Sequence, residues 1–364
     1  MQLILRWFGP TDTVSPAHIR QVTHIDGVAS ALMTVDPGVV WPAEAIEERQ
    51  AALAEHSLEW TVVESIPLHE DIKIGRPTRD RYIDAWCETL ARVGAAGIKT
   101  VCYNFMPVFD WMRTNLEVHT FSGSLTAEFR NEDFLKLDVK KGIRKLPVWR
   151  GDFDAKSLGP RLAAYDGVDE EQLFDNLGYF LSRVVPVARE AGVKLGVHPD
   201  DPPWSIFGLP RIMTNEENLA RVLSLNDDPA NGLTFCTGSL GALPDNDVVG
   251  MARRFGATGR VNFAHCRNVR WTGYHSFVEA PHARSYGNVD LVETIKALVE
   301  TGFDGPMRPD HGRMLWGEKA IWGYGLHDRA MGAMYLAGAW EAAGGTLEAK
   351  IKPPILKAED CRPG

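Results

Sequence analysis

The sequence predicts a single (β/α)8 (TIM) barrel spanning residues 1–364, with a long insertion after its fourth strand. Three observations point that way. Short β-type runs alternate with longer helical patterns almost from end to end. Several of the runs are apolar nearly throughout, as strands of a parallel sheet covered on both faces must be. The runs number eight, each followed by a helical stretch, and closure into a barrel is the simplest arrangement of such units.

The predicted strands are, in order, "LILRWF" (3–8), "VASALMT" (28–34), "EWTVVES" (59–65), "KTVCYNF" (99–105), "KLGVHP" (194–199), "GLTFCTG" (232–238), "VNFAHCR" (261–267) and "GPMRPDH" (305–311). The helices between them carry start signals. Ser15-Pro16 reads as an N-cap followed by proline at the first helical position, and Pro42 is expected to play the same part for "PAEAIEERQAALAEH". Asn215 or Thr214 can cap "EENLARVLSL", "NVDLVETIKALVETG" ends on a glycine, and "HDRAMGAMYLAGAWEAA" is the last long helix. Residues 106–168 break the rhythm. A connection of that length at the end of a barrel strand is expected to be a lid, a dimer arm or a decoration.

Composition narrows the classes of function. The chain carries 39 basic and 48 acidic residues, for a net charge of −9, and no basic stripe interleaved with aromatics, so a nucleic-acid surface is not expected. No apolar run reaches the length needed to span a bilayer, and "MQLILRWFGP" lacks the charged and apolar regions of a secretory leader. The five cysteines, Cys87, Cys102, Cys236, Cys266 and Cys361, are odd in number and form no C-x-x-C pair. That usage fits the reducing cytoplasm rather than a disulfide framework.

Chemistry in this fold gathers at the C-terminal ends of the strands. Those ends hold His198 on the fifth strand, Cys236 on the sixth, His265 on the seventh and Asp310 on the eighth, separated by 38, 29 and 45 residues. All four side chains can bind a metal. Residues two apart share a face of a strand, so His198 sides with Gly196, Cys236 with Thr234, His265 with Phe263 and Arg267, and Asp310 with Arg308. Leu195, Val197, Leu233, Phe235, Ala264, Cys266 and Met307 are left for the helix layer. Cys87 and Cys102 read as packing residues. Each candidate ligand alone could be an ordinary core residue; four at consecutive strand ends predict convergence on one cation at the barrel mouth.

The segments "GVHPDDPP", "RIMTNEENL", "NGLTFCTGSLGA", "FAHCRNV", "RPDHGRM" and "GYGLHDRAMGAMYLAGAWE", together with "ILRWFGP" and "YNFMPVFDW", closely resemble the mannonate dehydratases, a family of xylose-isomerase-like barrels. The resemblance implies dehydration of D-mannonate to 2-keto-3-deoxy-D-gluconate in hexuronate breakdown, with a divalent metal, Mn²⁺ first and Fe²⁺ as the alternative. It places the metal on the same four residues and an acid/base pair on His311 and Tyr324, without saying which group takes the proton from C2 and which gives one to C3. Alternation turns His311 away from Asp310, so that role requires the chain to bend after Asp310. The resemblance also implies a small sugar-acid substrate and a homo-oligomer, a dimer in the simplest case.

The substrate carboxylate wants a cationic partner, for which Arg267 and Arg313 are candidates. Asp200 is expected on the substrate side of the site, or with Asp201 as an orienting partner of a ligand imidazole or a cap of its loop. Coordination chemistry alone, with a thiolate among the donors, favours Zn²⁺ or Fe²⁺ over Mn²⁺. The alternative activity is a metal-dependent sugar isomerase or epimerase on the same barrel. A phosphodiesterase and a protein with a purely structural metal are more distant rivals.

Overall fold

A computed structural model of the chain describes residues 1–139 and 155–347; Cys361 and residues 140–154 of the insertion lie outside the described residues. Twelve strands occur among the described residues: β1 (Gln2–Arg6), β2 (Gly27–Ser30), β3 (Glu59–Glu64), β4 (Thr100–Tyr103), β5 (Asn115–His119), β6 (Leu125–Phe129), β7 (Lys194–Val197), β8 (Asn231–Cys236), β9 (Val261–His265), β10 (Asn268–Gly273), β11 (Ser276–Ala280) and β12 (Pro306–Arg308). Eight of them close into a parallel barrel in the order β1-β12-β9-β8-β7-β4-β3-β2. These are the eight predicted strands. Most end earlier than expected, because the last residues of each run leave the ladder to form the mouth of the barrel. The clearest case is Asp310, whose φ of +63° breaks the extended path two residues after β12.

Alternation sorts the strand residues as read from the sequence. Leu195, Val197, Leu233, Phe235, Ala264, Cys266 and Met307 pack into the large core between barrel and helices. Ile4, Ala29, Val62, Cys102 and Phe263 form a separate buried cluster inside the barrel. The fit there is close: a Cβ on Gly196 would lie 2.6 Å from the Thr234 hydroxyl and 3.2 Å from its backbone nitrogen. Glycine at 196 is therefore what lets β7 and β8 pair with a threonine turned inward.

The helices begin where short polar side chains can accept free N–H groups. Ser15 caps Pro16–Arg20 and Asn215 caps Glu216–Leu225, each accepting from the third residue on. Pro42 corrects the expectation slightly. It is the extended N-cap (φ −60°, ψ 137°) of Ala43–Ala54 rather than its first helical residue.

The sequence reading missed a second sheet. β5 and β6, from the insertion, join β10 and β11 in an antiparallel sheet of order β10-β11-β6-β5. The β10–β11 hairpin directly follows β9, and "NVRWTG" and "SFVEA" on either side of a short turn were its signal. A buried ion network fastens this sheet to the barrel. Arg113, just before β5, binds Asp201 at 2.5 Å and Glu279 of β11 at 2.5 Å. Arg267 binds the same two carboxylates, Asp201 at 2.5 Å and Glu279 at 2.7 Å. All four side chains are at most 2% exposed, so each charge depends on its partners for compensation. Arg113→Ala, which leaves two buried carboxylates to share Arg267 alone, is expected to lower unfolding free energy by about 3 kcal/mol in urea denaturation; a loss below about 1 kcal/mol would mean that the network does not hold the sheet.

Candidate active site

At the barrel mouth the strand ends bring their ligand-type side chains together. His198 follows β7, Cys236 ends β8, and His265 ends β9 in register with both Cys236 and Arg308. One donor atom from each of His198, Cys236 and His265 lies within 4.8 Å of the others. His198 Nε2 is 3.1 Å from His265 Nδ1. Asp310 Oδ2 lies beside this group of three, 3.7 Å from Cys236 Sγ and 3.9 Å from His265 Nδ1. Two imidazoles and a thiol from β7, β8 and β9 therefore cluster tightly, with the Asp310 carboxylate beside two of the three.

The surroundings set the charge of each donor. Burial pushes the Cys236 thiol up, but the Arg267 guanidinium and hydrogen bonds with His198 and His265 outweigh it and bring it to about 5. Burial likewise opposes ionisation of Asp310, yet Arg308 leads a set of cationic neighbours that holds its carboxyl well below the ordinary carboxylate range. For His198, burial favours the neutral ring, and the Cys236 hydrogen bond and charge reverse that, to about 9. Two anionic donors facing two imidazoles, with little water, make a pocket whose charge balance suits a divalent cation.

Partners outside the four fix their orientation. His198 Nδ1 is 2.7 Å from the Pro199 carbonyl and the Ser239 hydroxyl donates to Cys236 Sγ at 3.2 Å. Glu64, at the end of β3, places Oε2 3.6 Å from His265 Nε2 and takes a 2.6 Å bond from Arg308. The hydrogen bond at His265 Nε2 itself comes from Arg308 Nε, at 3.0 Å. Glu64 and Arg308 were not singled out in the sequence, although both are polar residues at strand ends.

His311 and Tyr324 reach the same place. The positive φ of Asp310 turns the chain, so His311, which strict alternation would send outward, puts Nε2 3.9 Å from Asp310 Oδ2. The loop carrying Tyr324 is pinned against it. Gly323 (φ +74°) brings its backbone so near that a Cβ there would sit 3.3 Å from the His311 Cβ, and Gly312 N donates to Gly323 O at 2.9 Å. The two rings lie 5.7 Å apart, and the edge of Trp111, from the insertion, meets His311 at 5.6 Å. Both groups are buried. Burial holds the His311 imidazole down at about 4 and pushes the Tyr324 phenol above its ordinary range. His198, Asp310, His311 and Tyr324 share a small cavity with Glu64, Arg308, Asn104, Asp110 and Trp111. The last three lie just after β4, in or beside the insertion, and no spacing pattern marked them.

The three residues expected on the substrate side are placed differently. Arg267 faces the cluster, but its Nε donates to Asp310 at 2.9 Å and its other nitrogens to Glu279 and Asp201, so it touches the cluster through Asp310. Arg313 is held by Asp328, with a 2.6 Å bond from Nη2 and a further bond from its backbone N–H. Asp200 is buried beneath the loop, accepting from the Met213 N–H at 2.8 Å and facing Arg211. Its neighbour Asp201, not Asp200, borders the cavity.

Comparison with known proteins identifies the family. A sequence model of the D-mannonate dehydratase (UxuA) family matches residues 1–350. Mannonate dehydratase 2 of Halalkalibacterium halodurans is 49% identical over 342 residues, covering 94% of this chain and 99% of that protein. Mannonate dehydratase of Thermotoga maritima is 50% identical over 352 residues, covering 94% and 98%. The crystal structure of mannonate dehydratase from Streptococcus suis serotype 2 superposes with a TM-score of 0.90 at 40% identity, over 98% of this chain and 99% of that one. Nothing in these matches favours the isomerase or epimerase alternative. The barrel, its insertion and its cluster of donors thus come with sequence likeness along nearly the whole chain, and the chain belongs to the mannonate dehydratase family of hydro-lyases.

Proposed function

We propose that His198, Cys236, His265 and Asp310 hold one divalent cation, and that His311 and Tyr324 move protons beside it. The reaction is the loss of water from D-mannonate to give 2-keto-3-deoxy-D-gluconate. The observation that carries this reading is the gathering of the four donors beside one cavity, which His198 and Asp310 line together with His311 and Tyr324. The residues fit the group: a thiol shifted to the thiolate, an ionised carboxylate and two ring nitrogens are what a divalent transition metal takes. A closed structural site needs no adjoining cavity with an acid/base pair, so the arrangement favours an open, working site.

The reaction removes a proton from C2, next to the substrate carboxylate, and hydroxide from C3. When bound, a divalent cation supplies positive charge against the charge that grows on that carboxylate. Everything else falls to the chain. Hydroxide is a poor leaving group and needs a proton as its bond breaks. An uncharged imidazole has a lone pair to accept a proton and a phenol has a proton to give, so His311 and Tyr324 together cover both transfers. Arg267 and Arg308 clamp the two oxygens of Asp310, at 2.9 and 2.7 Å, and keep it aimed at the cluster. Trp111, stacked on Trp322 at 6.2 Å, walls the cavity and limits water around His311.

Mn²⁺ is the ion we infer, from the family resemblance, with Fe²⁺ the alternative that the thiolate supports. Cys87, Cys102, Cys236 and Cys266 are free thiols, in keeping with a cytoplasmic enzyme. No helix among the described residues is long and apolar enough to cross a membrane. We infer a homodimer with the insertion as its arm, a reading supported by Phe121 and Tyr274, 81% and 79% exposed in the turns of the four-stranded sheet.

Chelation is expected to abolish turnover of D-mannonate, and added Mn²⁺ or Fe²⁺ to restore it; full activity in the metal-free protein would overturn the reading. Tyr324→Phe is expected to keep its metal, by elemental analysis, while kcat falls about 10²- to 10⁴-fold. Full turnover in that variant would remove Tyr324 from the proton work.

A further inference from the structure

The cavity at the cluster encloses about 50 Å³, room for about one or two water molecules. That is enough for the reacting end of a sugar acid and too little for a six-carbon chain bearing a hydroxyl on each carbon beyond the carboxylate. A second cavity adjoins it. About 650 Å³ in volume, it lies over the ends of β2, β3 and β4 and meets the first at Asn104 and Asp110, which line both. The 390 Å³ cavity behind the insertion hairpin shares no lining residue with the cluster cavity.

We propose that this larger chamber is the subsite for the polyol end of the substrate, with the carboxylate, C2 and C3 at the cluster and C4 to C6 passing Asn104 into the chamber. The inference rests on the mannonate reading and adds the direction in which the substrate lies. The chamber's wall is mixed, with Leu68, Ile74 and Val108 beside polar groups that are prearranged. Lys73 is buried in its wall, its ammonium fixed by Glu70 Oε1 at 2.6 Å and the Met106 carbonyl at 2.7 Å. The Tyr165 hydroxyl donates to Glu70 Oε2 at 2.5 Å, which ties the far wall to the same carboxylate. Fixed polar groups set among apolar side chains suit a carbon chain that bears hydroxyls. Asn104 makes no side-chain hydrogen bond among the described residues, and its carboxamide offers both donor and acceptor at the neck. It can therefore bridge two neighbouring hydroxyls of the chain that threads past it. Binding gained by this remote end would help seat C2 and C3 against the acid/base pair.

The test compares D-mannonate with the four-carbon acid of the same C2 and C3 configuration, on metal-loaded protein. Two variants are used: Asn104→Ala at the neck, and Ala164→Trp, which narrows the chamber from a wall remote from the cluster. Both are expected to lower kcat/KM for mannonate: Asn104→Ala by about 3- to 10-fold more than for the four-carbon acid, and Ala164→Trp, outside the cluster cavity, with less than about 2-fold change for the four-carbon acid. Equal effects on the two acids, or none on mannonate, would overturn the proposal. If the wild-type protein turns over mannonate but not the shorter acid, a crystal of Tyr324→Phe soaked with mannonate decides: C4 to C6 beside Asn104 support the subsite, and a tail pointing elsewhere overturns it. Failure of the wild type to dehydrate mannonate at all would instead refute the parent reading.

Discussion

The charge pairing around Asp310 is the interaction on which the rest of the site depends. Its two oxygens are taken by two buried guanidinium groups, Arg308 from its own strand and Arg267 from beyond β9. A carboxylate this deep would favour its neutral form; the two arginines reverse that and fix its direction. Arg308 also reaches Glu64 and His265, and Arg267 reaches Asp201 and Glu279. The Asp310 carboxylate is thus linked through the two arginines to the ends of β3 and β9 and to the added sheet.

That linkage gives the insertion a physical function whatever its part in assembly. Arg113 closes the ring of charges beneath the cluster, and Asp110 and Trp111, a few residues earlier, line the cavity. The insertion leaves the barrel after β4 and the β10–β11 hairpin after β9, across β7 and β8, and the two meet in one sheet. Their pairing presses Arg113 and Glu279 together under Asp201. The loop after β7, which carries His198 at one end and Asp201 within it, is held from both sides by this arrangement. Precision at the donors comes less from the four residues themselves than from the charged groups packed around them.

Much of this was legible in the sequence, for a definite reason. Parallel strands buried on both faces write continuous apolar runs, and period-two alternation then says which residue at each end faces inward, so His198, Cys236, His265 and Asp310 could be nominated as neighbours at the barrel mouth without knowing any distance. The partners carry no such signature. Glu64, Asn104 and Arg308 are single polar residues whose importance lies in what stands opposite them in the closed barrel. Arg113 and Glu279 are far apart in the chain and meet only because two excursions pair as strands. Arg267 was placed on the right face, yet facing inward does not tell whether a guanidinium meets substrate or a buried carboxylate. His311 shows the limit of alternation, since one left-handed residue at Asp310 reverses the side on which it falls.

The most direct test is a crystal structure of the Mn²⁺-loaded protein with anomalous differences recorded at the manganese edge. The account predicts a single peak at the barrel mouth, within bonding distance of His198, Cys236 Sγ, His265 and Asp310 together. An absent peak, or an ion bound elsewhere while those four side chains stay apart, would contradict it.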